Sequence, residues 1–260
     1  KVMTEKVHLR RTIAHPRAMQ ELQTRSIKKE EAMLTTLRWY GHAAIGIDTS
    51  GYQLLVDPFF TGNTATTQKP EEVAADYLLI THGHGDHVGD APQIARRTGA
   101  TIISNAEICT WFAKQGLKTH AQHLGGGFHY PFGYLKMTYA LHGSALPDGS
   151  YGGNPGGFLL TTLEGKKIYL AGDTGLFGDM KLIGDEGVDL AVLPIGDNYT
   201  MGPDDALLAV RLLRAKMVVP IHYDTFEVIR QDAAAWAERV RVNTPTQVIL
   251  LKPGDQVSVE

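Results

Sequence analysis

Thr81-His82-Gly83-His84-Gly85-Asp86-His87 places three imidazoles and a carboxylate within six consecutive positions. In an extended segment, side chains two apart point to the same side, so His82 and His84 address one point. Asp86 and His87 follow where the chain turns into a helix from Val88, and reach the same point from the helix N-terminus. Gly83 and Gly85 permit the tight backbone that this requires. Gathering an ion with so short a loop costs little chain entropy. Imidazole nitrogen and carboxylate oxygen together suit one or two metal ions.

A second ion needs more donors, and three stand at the ends of apolar runs. His142 follows Leu135 to Leu141. Asp173 lies in Ala171-Gly172-Asp173-Thr174-Gly175, after Lys167 to Leu170, and His222 lies in Pro220-Ile221-His222-Tyr223, after Met217 to Val219. Each stands where a buried strand meets a glycine or turn, which is where sites collect in α/β folds. His42 reads equally as a satisfied core histidine or as a group reaching substrate or the second metal. Asn198, Tyr199, Thr200 and Tyr223 offer polar or phenolic groups near ligand-bearing loops, able to orient a carbonyl or phosphoryl oxygen. His8, His15, His120, His123 and His129 read as lying outside the site.

The elements that must position these residues are short strands alternating with helices. Leu37 to Tyr40, Ala44 to Ile47, Gln53 to Val56 and Tyr77 to Ile80 read as strands. A helix from Val88 to Arg97, a strand from Thr101 to Ser104 and a helix from Ala106 to Gln115 follow. Leu135 to Leu141, Phe158 to Thr162, Lys167 to Leu170, Leu190 to Leu193 and Met217 to Pro220 are further strands. Helices from Pro203 to Arg214 and from Gln231 to Arg241 precede a last strand, Gln247 to Leu251. The mixture predicts an α/β fold with a mixed sheet or two sheets, in one domain spanning residues 34–260.

Residues 1–33 differ in composition: eight Lys or Arg against four Glu give +4, while the remaining chain carries −7. They read as a basic N-terminal extension ahead of Met33, with a helix from about Arg17 to Glu31. The alternative is an arm that packs on a second subunit or guides an anionic substrate. The whole chain is near neutral at −3, which gives no general attraction to nucleic acid or anionic membrane. No apolar run approaches the roughly 18 to 20 residues of a membrane span. One cysteine, Cys109, excludes an intrachain disulfide and a zinc ribbon, and the cytoplasm is the expected compartment. Gly125-Gly126-Gly127 lacks the Lys-Ser/Thr of a phosphate loop, and Ser144 lies outside any Gly-x-Ser-x-Gly elbow.

His82-x-His84-x-Asp86-His87 followed in order by His142, Asp173 and His222 resembles the metallo-β-lactamase superfamily. Leu37-Arg38-Trp39-Tyr40-Gly41-His42, Asp57-Pro58-Phe59, Pro194-Ile195-Gly196, Thr200-Met201-Gly202-Pro203 and Ile221-His222-Tyr223-Asp224-Thr225-Phe226 are similar to the branch of small metal-dependent hydrolases related to ascorbate-phosphate lactonases. The resemblance implies a four-layer αββα sandwich of two mixed sheets with a dinuclear site at one edge. His82, His84 and His142 would hold one ion, and Asp86, His87 and His222 the other, with Asp173 bridging. Asp57 would accept a hydrogen bond from a ligand histidine. Asp86, Asp173 and His222 are the candidate catalytic side chains.

The implied cofactor is a pair of divalent ions, zinc first, with manganese or iron as alternatives. The expected activity is hydrolysis of a small ester, lactone or phosphoester by metal-bound hydroxide. A phosphodiesterase or nuclease acting on nucleic acid, and a non-catalytic metal-binding subunit, are the competing readings. The expected partner is a small-molecule substrate, with nucleic acid disfavoured and a homo-oligomer compatible with the fold. Gly143, where that branch usually shows serine, and the aromatic stretch Gly125-Gly126-Gly127-Phe128-His129-Tyr130 depart from the pattern. Both are expected near the substrate mouth.

Overall fold

The computed structural model describes residues 34–259, so the segment 1–33 and the helix expected within it lie outside the described residues. In the first of two seven-stranded sheets, β1 (Thr36–Gly41), β2 (Ala44–Thr49) and β3 (Tyr52–Val56) form an antiparallel meander. Three parallel strands extend it, β4 (Tyr77–Leu79), β5 (Thr101–Ser104) and β6 (Thr119–Ala121). In the second sheet β7 (Gly127–Tyr130), β8 (Gly133–Tyr139), β9 (Gly156–Thr162) and β10 (Lys167–Leu170) run antiparallel. It continues in parallel through β11 (Leu190–Pro194), β12 (Met217–Ile221) and β13 (Gln247–Val248). The last strand, β14 (Gln256–Ser258), returns to the first sheet and pairs with β1.

Alternation along the strands builds the layers, because successive side chains leave a strand on opposite faces. Leu54, Val56, Leu79 and Ile103 enter the core between the sheets, where they join Phe132, Leu135, Met137 and Phe158. Their neighbours Leu55, Leu78, Ile80 and Ile102 face outward and are covered by Ile94, Ile108 and Phe112. These three come from α2 (Ala91–Thr98) and α3 (Ala106–Ala113), which follow a single-turn α1 (Gly85–Val88). β10, β11 and β12 are buried almost throughout, because the outer face of the second sheet is covered too. Val210 and Leu213 of α5 (Pro203–Leu213) and Trp236 and Val240 of α6 (Ala233–Asn243) pack on it, and α4 (Met180–Asp185) lies beside α5. The result is the αββα sandwich.

Several expected elements differ in detail. The helix expected over Val88 to Arg97 is two helices broken at Gly89. A side chain at Gly89 would place its Cβ 2.4 Å from the Pro58 carbonyl oxygen, at φ +39°. That close approach brings the loop after β3 against the histidine-bearing turn. The strand expected over Leu135 to Leu141 ends at Tyr139, because its partner β9 begins at Gly156. The Leu141 N–H is taken instead by Thr174 Oγ1 at 2.9 Å, which ties the segment carrying His142 to the one carrying Asp173.

Gly125 to Tyr130 does not form a loop at the substrate mouth. Gly127 to Tyr130 are the edge strand β7, and Tyr130 stacks on Phe132 next to Tyr77, at the start of β4 and away from the strand end that leads to the histidines. The terminal strand shrinks to two residues, although Ile249 N–H still donates to the Val218 carbonyl at 2.8 Å. Among the described residues, no helix is long and apolar enough to cross a membrane.

Candidate metal centre

Asp57, at the end of β3, organises the site. Its buried carboxylate accepts Thr81 N–H (2.9 Å) and Thr81 Oγ1–H (2.6 Å) from the segment after β4. It also accepts from His87 Nδ1 at 2.8 Å. Having given its proton to Asp57, the Thr81 hydroxyl oxygen can only accept from His82 Nδ1, 3.0 Å away. Both histidines thereby hold a proton on Nδ1 and present a bare Nε2.

The lone pairs converge on two points. His84 Nδ1 lies 3.0 Å from His82 Nε2 and 3.2 Å from His142 Nε2. A tetrahedral zinc with Zn–N bonds of 2.0–2.1 Å separates its nitrogens by about 3.3 Å, so three imidazoles at this spacing fit one ion. Asp173 Oδ2 lies 3.0 Å from His222 Nε2, 3.3 Å from His87 Nε2 and 3.7 Å from His142 Nε2, facing both halves of the cluster. Asp86 Oδ2 closes the second half, 3.1 Å from His42 Nε2. One donor each from His42, Asp86, His87 and His222 lie within 4.8 Å of one another.

The buried atoms His87 Nε2 and Asp173 Oδ1, both at the cluster, have no hydrogen-bond partner among the described residues. An unpaired buried polar atom costs about 1–3 kcal/mol, so clustered orphans in a folded core call for a ligand. The donor set therefore fits metal binding.

Electrostatics keep most of the donors in metal-binding form. Burial pushes the His82, His84 and His142 imidazoles below their ordinary range, so they are neutral near pH 7. Burial works to raise the Asp173 carboxyl, but His222 and His87 facing it hold it well below the usual carboxylate range. Burial likewise opposes ionisation of Asp86, and the His42 and His87 imidazoles beside it outweigh that effect. Without an ion, burial disfavours a charge on His87, yet Asp173 and Asp57 on its two nitrogens raise its pKa well above the usual histidine value. A divalent ion beside Nε2 would take that proton's place.

The structure thus brings together His82, His84, Asp86, His87, His142, Asp173 and His222, with Asp57 behind them. His42, expected as a core histidine or as a group reaching substrate or the second metal, is fully buried beside Asp86 and His222 and does not face solvent. Tyr223 is not brought to the cluster: it is buried and stacked on Trp39, with ring centroids 5.4 Å apart. The Asn198 and Tyr199 side chains are exposed and make no hydrogen bond to the cluster, and Thr200 Oγ1 bonds only the Met201 carbonyl. Their loop adjoins the site through Met201 N–H, which donates to the Thr174 carbonyl at 2.9 Å.

Three hydroxyls have structural parts that the sequence did not suggest. Thr81 sets the imidazole tautomers as described. Thr225 Oγ1 lies 3.0 Å from His42 Nδ1. Ser144 accepts Gly83 N–H at 3.0 Å and donates to the Gly152 carbonyl at 2.9 Å, which pins the glycine between His82 and His84.

Residues 52–223 match the family described as Beta-lactamase superfamily domain. The chain belongs to the metallo-β-lactamase superfamily. It is 52 % identical over 206 residues to a UPF0173 metal-dependent hydrolase of Bacillus velezensis, covering 77 % of this chain and 90 % of that protein. A UPF0173 metal-dependent hydrolase of Thermus thermophilus is 46 % identical over 227 residues, covering 87 % of this chain and 100 % of that protein. Igni18, a metallo hydrolase from the archaeon Ignicoccus hospitalis, superposes with a TM-score of 0.80 at 35 % identity, covering 88 % of this chain and 99 % of that one. The superfamily member described here is, like these relatives, a metal-dependent hydrolase.

Proposed function

We propose that the protein is a dinuclear hydrolase of small esters, lactones or phosphoesters, with zinc as its first-choice metal and manganese or iron as alternatives. The observation that carries this reading is the convergence of six donor side chains around Asp173, whose Oδ2 faces His222, His87 and His142 at once. His82, His84 and His142 would hold one ion, and Asp86, His87 and His222 the other, with Asp173 between them. Bound there, two divalent ions supply Lewis acidity and a water that ionises near neutral pH. With the Asp86 and Asp173 carboxylates and one hydroxide counted against two divalent ions, about one positive charge would remain to favour an anionic transition state.

The chain's own residues supply the rest. Asp57 and Thr81 fix the rings of His87 and His82 so that the right nitrogen faces inward. The carboxylate of Asp86, one-third exposed, is held ionised on the accessible side, where it can bind and orient a water or accept its proton. Leu141, Gly143 and Gly85 lie exposed beside the donors and leave the cluster open on that side.

Elemental analysis of chelator-free protein, expressed with zinc, manganese and iron all available, tests this reading. About two equivalents of zinc or manganese, with hydrolysis of members of a lactone, ester and phosphodiester panel, is the expected result. One equivalent or none in folded protein would remove the dinuclear mechanism.

A further inference from the structure

His42 stands outside the seven-residue set, yet it is buried beside it and held from several sides. It occupies the tight turn between β1 and β2 with φ +54°, a conformation that a bulky residue adopts rarely, and it is 0 % exposed. Its carbonyl accepts Trp39 Nε1–H at 2.9 Å and the backbone N–H of His222 at 3.0 Å, which clamps the two histidine-bearing loops together. The His42 and His222 ring centroids lie 4.1 Å apart. Phe59 and Phe226 meet the His42 ring edge-on at 5.6 and 5.4 Å, fixing its plane and screening it from water.

The two ring nitrogens face oxygen atoms of different kinds. Nδ1 lies 3.0 Å from Thr225 Oγ1, a hydroxyl that itself points to the Tyr223 carbonyl at 3.5 Å. With the hydroxyl proton directed there, Thr225 accepts Nδ1–H, as the outer partner of a metal-bound imidazole does. Nε2 then carries a bare lone pair 3.1 Å from Asp86 Oδ2, two acceptors facing each other in a buried site. A cation shared by both atoms resolves that contact. His87 Nε2 and His222 Nε2, the other inward-facing nitrogens of this half, complete its coordination.

Resting on the dinuclear reading above, we infer that His42 is a fourth side-chain ligand of the second ion. That position is then closed by His42, Asp86, His87 and His222 with Asp173 alongside, while the His82–His84–His142 position keeps room for water and substrate. Closed coordination marks structural sites, and an open position marks catalytic ones. The second ion anchors the cluster, and the first does the exchanging.

The competing arrangement has Thr225 donating to Nδ1 and His42 Nε2–H donating to Asp86, a hydrogen bond with no metal contact. His42→Gln separates the two, since its amide keeps an N–H donor for Asp86 and is a poor ligand. Holoprotein loaded with zinc or cobalt(II) is titrated with a chelator, and released metal and the cobalt visible bands are followed. The wild type is expected to release one ion readily and one reluctantly. In H42Q the reluctant ion should bind at least about tenfold more weakly, with altered cobalt bands.

Thr225→Val, which leaves the ring in place, should weaken the same ion by a smaller factor, and it decides the matter if H42Q does not fold. Wild-type release and wild-type bands in either folded variant overturn the assignment. A wild type that takes up a single ion sinks the dinuclear reading and this one with it, and shows itself before any variant is made.

Discussion

In the first half His84 and His142 stand with solvent on one side, flanked by the exposed Gly85 and Gly143, over a buried His82; in the second, His42, His87 and His222 are buried, with Phe59 and Phe226 against the His42 ring, and Asp86 is the one partly exposed donor. The first half of the cluster is held mainly by the chain that follows β4 and β8. The second half is bound by hydrogen bonds into the backbone and into Asp57. The difference teaches that one site can divide its labour by burial. Exposed donors let a ligand come and go, and buried ones hold charge that the fold itself depends on. Asp173, 3 % exposed and facing both halves, joins them.

The largest expected effect follows from removing that joint. Asp173→Ala should lower turnover by about a hundredfold or more, the scale seen when one group aimed at transition-state charge is lost. It should also reduce metal content, because ligand loss and activity loss are linked. Wild-type rates at full metal occupancy would deny Asp173 its bridging part.

Next come paired deletions in the two halves. His87→Ala leaves the buried Asp57 and Asp173 carboxylates without the imidazole between them. Breaking a buried ionic partnership in this way costs about 3–5 kcal/mol, measurable as metal-free stability in urea. His84→Ala, at a half-buried position, should cost about 1 kcal/mol or less in the same measurement, while still emptying its half of metal. Equal losses in the two variants would erase the contrast between the halves.

A smaller effect is expected one step back from the donors. Asp57→Asn keeps the shape but weakens the acceptor that orients His87 and Thr81, and should lower metal affinity by about 10–100-fold. Competition with a chromophoric chelator reads this directly. Unchanged affinity would mean that packing alone orients the rings.

Acid sharpens the same contrast in metal-free protein. His82, His84 and His142 are depressed below the usual histidine value of 6.5 by burial, and His42 falls to about 4 for the same reason. Between pH 6.5 and about 4, the unfolded chain therefore binds protons that the native state refuses, and stability must fall as pH falls. His87, shifted upward, contributes fully below 6.5 and so does not offset this decline. The Asp86 and Asp173 carboxyls, shifted downward, add their own loss only below about 3.8. Melting temperature against pH should thus decline steadily over that window, and a flat profile would show the histidines to be solvated.

Much of this arrangement was legible in the sequence, because the histidine turn and the strand-end Asp and His residues are local features. The apolar runs that carry them alternate or persist as buried strands must. What escaped depends on distant partners. β14 has three residues and exists through pairing with β1, more than 200 positions away. β6, Thr119–Ala121, shows no alternation of its own and is defined by β5. The Gly89 break arises from the approach of Pro58, and the aromatic stretch before Tyr130 reads as a mouth until β8 claims it as an edge strand. Thr81 and Thr225 look like ordinary β-branched residues, and nothing local says that their hydroxyls fix imidazole tautomers. Tyr223 sits next to a ligand in sequence, but the packing between sheets turns it onto Trp39.

Gly143 offers the mildest test of the open half. A side chain there would place its Cβ 3.4 Å from His84 Nε2, an ordinary contact, and the backbone is not in a region that demands glycine. Gly143→Ser should therefore leave stability within about 0.5 kcal/mol and metal content unchanged. Its hydroxyl would stand at the mouth beside His84, on the side where substrate must approach. The expected change is in relative kcat/KM across the lactone, ester and phosphodiester panel, with no loss of metal. If the serine variant instead lost metal, the His84 side would be as tightly packed as the His87 side, and the division between an exchanging half and an anchoring half would fail at its more exposed end.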